Sequence, residues 1–133
     1  MIESLRYASE AGGFRTTFGE ARPMTLLDFD EGQSTGATEL AQRIEEWLAA
    51  NLQRTTAYAA ERLLGTKNEA WLDDDEEALD AAAFGARLAL SGVNAFSDGS
   101  FEIFFRDGGL FDGHSVTVDV DAAFAFVRAG IVG

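Results

Sequence analysis

The sequence predicts an α+β fold with three parts: an N-terminal β-hairpin, two to three helices in the middle, and a C-terminal antiparallel meander of about four strands. Apolar and polar residues alternate near both ends of the chain, which is typical of half-buried strands. Between these ends, apolar residues recur at the spacing of an amphipathic helix. Because the strands are grouped and joined by tight turns, the pattern favours an antiparallel α+β arrangement over parallel βαβ units.

The predicted hairpin occupies the region from Phe14 to Phe29. Its first strand is the alternating run 14–18, and the returning strand covers 24–29. The segment 19–23 contains a glycine and the only proline of the chain, which predicts the turn between them. A polar, glycine-containing loop over 30–36 then leads out of the hairpin.

The helical part begins near Thr38, whose hydroxyl is expected to cap the first helix. Five apolar residues then share one helical face: Leu40, Ile44, Trp47, Leu48 and Leu52. The pattern weakens near Asn51, where we expect a break. A second helical stretch is expected to end at Gly65, and a third short helix to start near Asp80.

The C-terminal part predicts the meander. A strand over 90–96 meets the turn 97–100, where Asp-Gly between apolar runs is a strong hairpin signal. Further strands are expected over 101–105, 114–120 and 123–131.

Composition bounds the class of protein. The 133 residues fit one acidic α+β domain over 1–133, and 47% hydrophobic residues can supply its core. The absence of cysteine excludes disulfides, thiolate metal sites and a cysteine nucleophile. We expect a cytoplasmic protein, because the N-terminus lacks a secretory apolar region and no segment is long and apolar enough to span a membrane.

Charge is the strongest compositional signal. Twenty-three acidic and ten basic residues give a formal net charge of −13. Such a charge disfavours direct binding to nucleic acid and to anionic membranes, since both carry the same sign. It favours a basic protein partner, whose encounter it would accelerate.

His114, the only histidine, is the one candidate for general-base chemistry. Its neighbour Ser115 cannot be its nucleophile, because adjacent side chains on a strand point to opposite faces. We expect a structural His114 that is hydrogen-bonded to the preceding loop at 110–112. The alternative is a small enzyme in which His114 works with Asp107 or Asp112.

No cofactor or metal site is predicted. Asp28, Asp30 and Glu39 imitate the spacing of a calcium-binding loop, but Gln33 stands where the sharp turn needs glycine. The glycines between 107 and 113 match neither a Walker loop nor a dinucleotide fingerprint. We therefore expect no catalytic, cofactor-binding or metal-binding residues.

The predicted contact surface for a basic partner is the acidic run in which six of the eight residues from Asp73 to Asp80 are acidic. Trp71 precedes it and either closes the core below the run or serves as a contact hot spot. The candidate partner-binding residues are Trp71, Asp73, Asp74, Asp75, Glu76, Glu77, Asp80, Asp28, Asp30 and Glu31.

About the last 65 residues resemble a bacterial family catalogued as domain of unknown function 2262. The residues that carry the resemblance are Asn68–Trp71, Phe84, Asp98–Phe105, Asp107–Phe111, Gly113–Val116 and Ala129–Ile131. The resemblance implies an α+β domain with a C-terminal meander, and it implies that Gly113-His114 stands where a loop enters a strand. It implies no activity.

The leading functional hypothesis is a non-enzymatic immunity or inhibitor protein that neutralises a basic bacterial toxin or nuclease. The reasons are its acidity, its small size and the lack of a catalytic motif; the likeness to immunity proteins is an analogy at the level of class. The alternatives are a phage-type inhibitor that mimics nucleic-acid charge, the enzyme that uses His114, and a housekeeping oligomer without an external partner. We expect a monomer or a homodimer.

Overall fold

A computed structural model describes residues 2, 4–72, 74 and 76–133. Asp73 and Asp75 of the predicted contact surface lie outside the described residues. The helices and strands are β1 (Arg6–Ala8), β2 (Gly13–Phe18), β3 (Arg22–Leu27), α1 (Ser34–Ala70), α2 (Ala81–Arg87), β4 (Ala89–Phe96), β5 (Phe101–Arg106), β6 (Ser115–Val120) and β7 (Phe126–Val132).

The predicted α+β class is confirmed, but the predicted strand count is wrong. The described strands form one sheet of seven, in the order β1-β2-β3-β4-β5-β6-β7. The hairpin and the C-terminal strands belong to the same sheet because β3 pairs with β4. A short strand, β1, pairs with the other side of the hairpin, along β2. Its three residues are too few to show an alternating pattern in the sequence.

The expectation of an antiparallel arrangement without a βαβ unit is also wrong at one place. All neighbouring strands are antiparallel except β3 and β4, which are parallel. The two helices provide the crossover between them, since a parallel pair needs a long connection that returns the chain to the starting edge of the sheet.

Two α-helices are present among the described residues, where two to three were predicted. The first two predicted helices form one 37-residue helix, α1, which has a kink where the break was expected, at Asn51 (φ −124°, ψ 15°). Side-chain hydrogen bonds flank the kink: the Asn51 side-chain amide donates to the Trp47 carbonyl at 2.8 Å, and the Thr55 hydroxyl donates to the Asn51 carbonyl at 2.8 Å.

The predicted ends of α1 are wrong. Thr38 does not cap the helix but lies inside it, where its hydroxyl donates to the Ser34 carbonyl at 2.7 Å. The helix follows a 3-10 turn over Glu31–Gln33 and begins at Ser34. Gly65 is an interior residue, and the helix continues to Ala70 because buried contacts beyond the glycine hold the last turns.

Two predicted strand boundaries also shift. Pro23 belongs to β3 rather than to the preceding turn. The last strand starts at Phe126 rather than at Ala123, because the Asp121 carboxylate accepts hydrogen bonds from the Ala123 and Ala125 amides and holds 121–125 in a turn.

The core lies between α1 and one face of the sheet. Alternate strand residues such as Met24, Ile103 and Val118 are fully buried, as is Ile44 on the apolar face of α1. Trp47 packs against the rings of Phe101, Phe124 and Phe126 at centroid distances of 5.6, 5.6 and 5.8 Å. Among the described residues, no helix has the length and apolar character needed to cross a membrane.

The opposite face of the sheet carries a row of polar side chains across all seven strands. The strand register aligns Arg6, Arg15, Thr25, Asn94, Glu102, Asp119 and Arg128. We call this side the open face, since both described helices pack elsewhere.

Candidate functional site

The predicted acidic run is fastened to the C-terminal end of α1. Lys67 is only 1% exposed, and its ammonium group donates to the Trp71 carbonyl at 2.5 Å and to Glu76 Oε1 at 2.8 Å. Arg87 adds a second cation at 3.8 Å from Glu76. Because a buried ammonium must be paired, Glu76 serves as the counter-ion of Lys67 rather than as a partner-facing charge.

Two further residues of this segment, Leu79 and Asp80, are held by hydrogen bonds. The Asn68 side chain bonds to both the amide and the carbonyl of Leu79, each at 3.0 Å. Asp80 caps α2 by accepting from the Ala83 amide at 2.8 Å, as the predicted helix start requires. Of the predicted acids in the described part of this run, Asp74 and Glu77 remain exposed and make no hydrogen bond or ion pair there.

Trp71 is half-buried and closes the core below the run. Its ring lies 5.5 Å from Phe111 and 5.4 Å from His114, in edge-to-face geometry. His114 Nδ1 contacts the Phe111 carbonyl at 2.6 Å, so the expected hydrogen bond to the preceding loop is confirmed. Since a carbonyl only accepts, the proton of the neutral ring is on Nδ1.

Asp107, one of the acids considered for His114, is used by its own loop. Its carboxylate accepts from the amides of Gly109 at 3.1 Å, Phe111 at 2.7 Å and Gly113 at 3.0 Å. Burial alone would raise its pKa, but these amide hydrogen bonds hold the pKa of Asp107 below its usual value. Asp107 thus orders the loop that leads into β6.

Strand directions bring four loops together at one edge of the sheet: 9–12, 28–33, 97–100 and 121–125. Together they contain six acidic residues and no lysine, arginine or histidine. We call this the acidic edge; its acids are Glu10, Asp28, Asp30, Glu31, Asp98 and Asp121. Three of them, Asp28, Asp30 and Glu31, are among the predicted contact residues, and the strand topology places the loops of the other three acids at the same edge.

Several carboxylates of the acidic edge are held in fixed positions. Asp28 accepts from the Ser97 hydroxyl at 2.9 Å, which ties two of the loops together. Asp98 accepts from both the amide and the hydroxyl of Ser100, at 2.9 and 2.6 Å, and these bonds keep the pKa of Asp98 below its usual value. Asp121 accepts from two amides of its turn. Glu31 is exposed at the end of its loop.

A cleft of about 330 Å³ opens at this edge, beside the N-terminal turns of α1. Glu39 and Asp98 supply carboxylates to its wall, Phe29 and Phe124 supply aromatic rings, and Arg43 supplies one cation. The cleft therefore has acidic groups beside apolar surface, a combination that suits the long basic side chains of a protein partner. No group of three or more metal-ligating side chains is found in the part of the chain that the structure describes.

The open face holds a carboxylate pair that the sequence analysis missed. Glu102 and Asp119 are directly opposite each other on β5 and β6. Arg128 of β7 donates to Asp119 Oδ2 at 2.5 Å. The alternating sequence pattern places both acids on the outward side of their strands. Which residues of β5 and β6 lie opposite each other depends on how the loop 107–114 connects the strands, and the composition does not reveal this.

The comparisons with known proteins identify a family but no activity. The model of the bacterial family described as "Uncharacterized protein conserved in bacteria (DUF2262)" matches residues 4–131. Neither a curated protein nor a solved structure matches the chain significantly. The match extends over the hairpin and helices as well as the C-terminal strands from which the resemblance was seen, and the chain therefore belongs to the DUF2262 family.

Proposed function

We propose that this protein is a non-enzymatic, cytoplasmic immunity or inhibitor protein that binds a basic toxin or nuclease through the acidic edge. The observation that carries the proposal is the convergence of four loops that contain six acids and no base at one edge of the sheet. Two cations from other elements lie beside them: Arg43 lines the cleft, and Arg15 pairs with Glu10 at 3.3 Å. A net charge of −13 adds a long-range field of the same sign.

The acidic edge is a better contact surface than the run from 73 to 80. In that run, the charge of Glu76 is compensated by Lys67 within the fold, and the Asp80 carboxylate is occupied in capping α2. At the acidic edge, hydrogen bonds from neutral groups orient Asp28, Asp98 and Asp121 without cancelling their charge. Carboxylates that are ordered before binding lose less conformational entropy when a partner docks.

Exposed carboxylates of this kind act mainly on the rate of encounter. Charge complementarity raises the association rate constant, and salt reduces the effect because the Debye length falls to about 8 Å at physiological ionic strength. We therefore expect fast, salt-sensitive association with a partner that has a basic surface.

Two double variants with the same change in net charge test which surface binds. Asp30→Asn with Glu31→Lys alters the acidic edge, and Asp74→Asn with Glu77→Lys alters the exposed acids of the other candidate surface. The partner to test first is the product of the reading frame adjacent to this gene, because immunity proteins act on neighbouring toxins. In stopped-flow measurements at low salt, the acidic-edge variant is expected to associate about tenfold more slowly, and the matched control within about twofold of the unmodified protein.

Equal slowing in both variants would contradict the assignment to the acidic edge, and association that is insensitive to salt would contradict the electrostatic proposal. A panel of unrelated basic nucleases separates the two inhibitor classes. An immunity protein is expected to bind its own partner selectively, whereas binding to several of the nucleases would indicate mimicry of nucleic-acid charge.

A further inference from the structure

The carboxylate pair on the open face has fewer hydrogen-bond donors than it needs. Glu102 and Asp119 occupy directly opposite positions in an antiparallel pair, where Cβ atoms lie roughly 4.5–5.5 Å apart. Arg128 satisfies Asp119 Oδ2, but Asp119 Oδ1 is buried and has no hydrogen-bond partner among the described residues. An ionised Glu102 cannot supply a donor, because a carboxylate only accepts.

Among the described residues that line the cleft around the pair, Arg128 has no second cation beside it. On β4, the residue opposite Glu102 is the neutral Asn94. The cleft of about 400 Å³ that contains the pair also contains Asp121, which adds negative charge, and Ser100, which is neutral. Arg128 is the only cation in the lining of this cleft, and it faces Asp119 from the far side of the pair.

We propose that Glu102 and Asp119 hold one proton between them and act as a pH-sensitive device in the β5–β6–β7 part of the sheet. The protonated Glu102 carboxyl donates to Asp119 Oδ1, which gives that buried oxygen its missing partner. When the proton leaves, two adjacent carboxylates share the single cation Arg128, and the sheet is destabilised by their repulsion.

Electrostatics agree with this geometry. Burial raises the pKa of Glu102, the negative charge of Asp119 raises it further, and Arg128 opposes the shift. A carboxyl whose pKa is higher in the folded than in the unfolded chain binds more protons when folded. Its stabilising contribution is complete below the unfolded pKa and is lost as the pH rises through the folded pKa.

The test is a ¹³C NMR titration of the glutamate carboxyl groups, with exposed Glu69 as the internal reference. The Glu102 midpoint is expected above that of Glu69, and Asp119→Asn is expected to shift it to lower pH. A Glu102 midpoint equal to that of Glu69 overturns the proposal. A raised midpoint that Asp119→Asn leaves in place also overturns it, because burial alone would then be the cause.

Stability provides a second readout. In Glu102→Gln, the amide imitates the protonated acid, so its urea midpoint is expected to match that of the unmodified protein at acid pH and to exceed it increasingly as the pH rises. The matched control Glu69→Gln is expected to show no such pH-dependent gain. A Glu102→Gln curve that runs parallel to the unmodified protein at all pH values would contradict the device.

Discussion

Lys67 is the residue on which the conformation of the segment 71–80 most depends. Among the described residues it is the largest fully buried side chain that carries a charge. Its ammonium group donates to both the Trp71 carbonyl and Glu76. The sequence predicts that the helix ends at Gly65, which would place Lys67 outside it. The spacing of apolar residues therefore predicts neither the burial of Lys67 nor the role of Glu76 as its counter-ion. This ion pair therefore occupies one of the ten predicted contact residues within the fold.

A double-mutant cycle tests this interpretation. Lys67→Met is expected to reduce the free energy of unfolding by about 2 kcal/mol, since it removes the buried ammonium that donates to both Glu76 and the Trp71 carbonyl. Glu76→Gln keeps an acceptor for Lys67 and is expected to cost less. In the double variant, the loss is expected to be smaller than the sum of the two, because the interaction between the Lys67 ammonium and the Glu76 carboxylate can be lost only once. Losses in urea denaturation that add exactly would show that the two side chains are not coupled.

At the scale of the elements, local sequence patterns predicted the existence of helices and strands more reliably than their first and last residues. Helical spacing found α1 and its break, and the Asp-Gly turn found the β4–β5 hairpin. The misplaced ends share a physical cause, which is that neighbouring loops override local preference. Thr38 is a residue type that commonly caps helices, yet the 3-10 turn at Glu31–Gln33 makes the helix begin earlier. Gly65 is a residue type that commonly ends helices, yet the buried Lys67 holds the turns that follow it.

The kink in α1 depends on Thr55, which is fully buried and donates to the Asn51 carbonyl. Thr55→Val keeps the shape of the side chain but removes the buried hydroxyl that donates to that carbonyl, so we expect a loss of about 1 kcal/mol in urea denaturation. The matched control is Thr56→Val, whose hydroxyl bonds to the Gln53 carbonyl at a more exposed position and is expected to matter little. Equal losses in the two variants would mean that the buried hydrogen bond does not support the kink.

At the scale of the whole molecule, the sequence predicted the class and the acidity but not how the acids are grouped. Asp28 and Asp98 are 70 positions apart in the chain, yet Ser97 joins their loops because β3 and β4 end at the same edge. That neighbourhood follows from a parallel pairing that the strand pattern disfavoured. The acidic run at 73–80 is conspicuous in the sequence because its residues are consecutive, whereas the acidic edge is assembled by topology.

The central claim is that the acidic edge is the surface that meets a basic partner. Hydrogen exchange of the protein with and without that partner, followed by mass spectrometry, tests it most directly because it locates the contact on the chain. The account predicts slower exchange in 28–33, 97–100 and 121–125, with the loops at the opposite edge, 19–21 and 107–113, unchanged. Protection centred on 74–80 or on the opposite edge would contradict it.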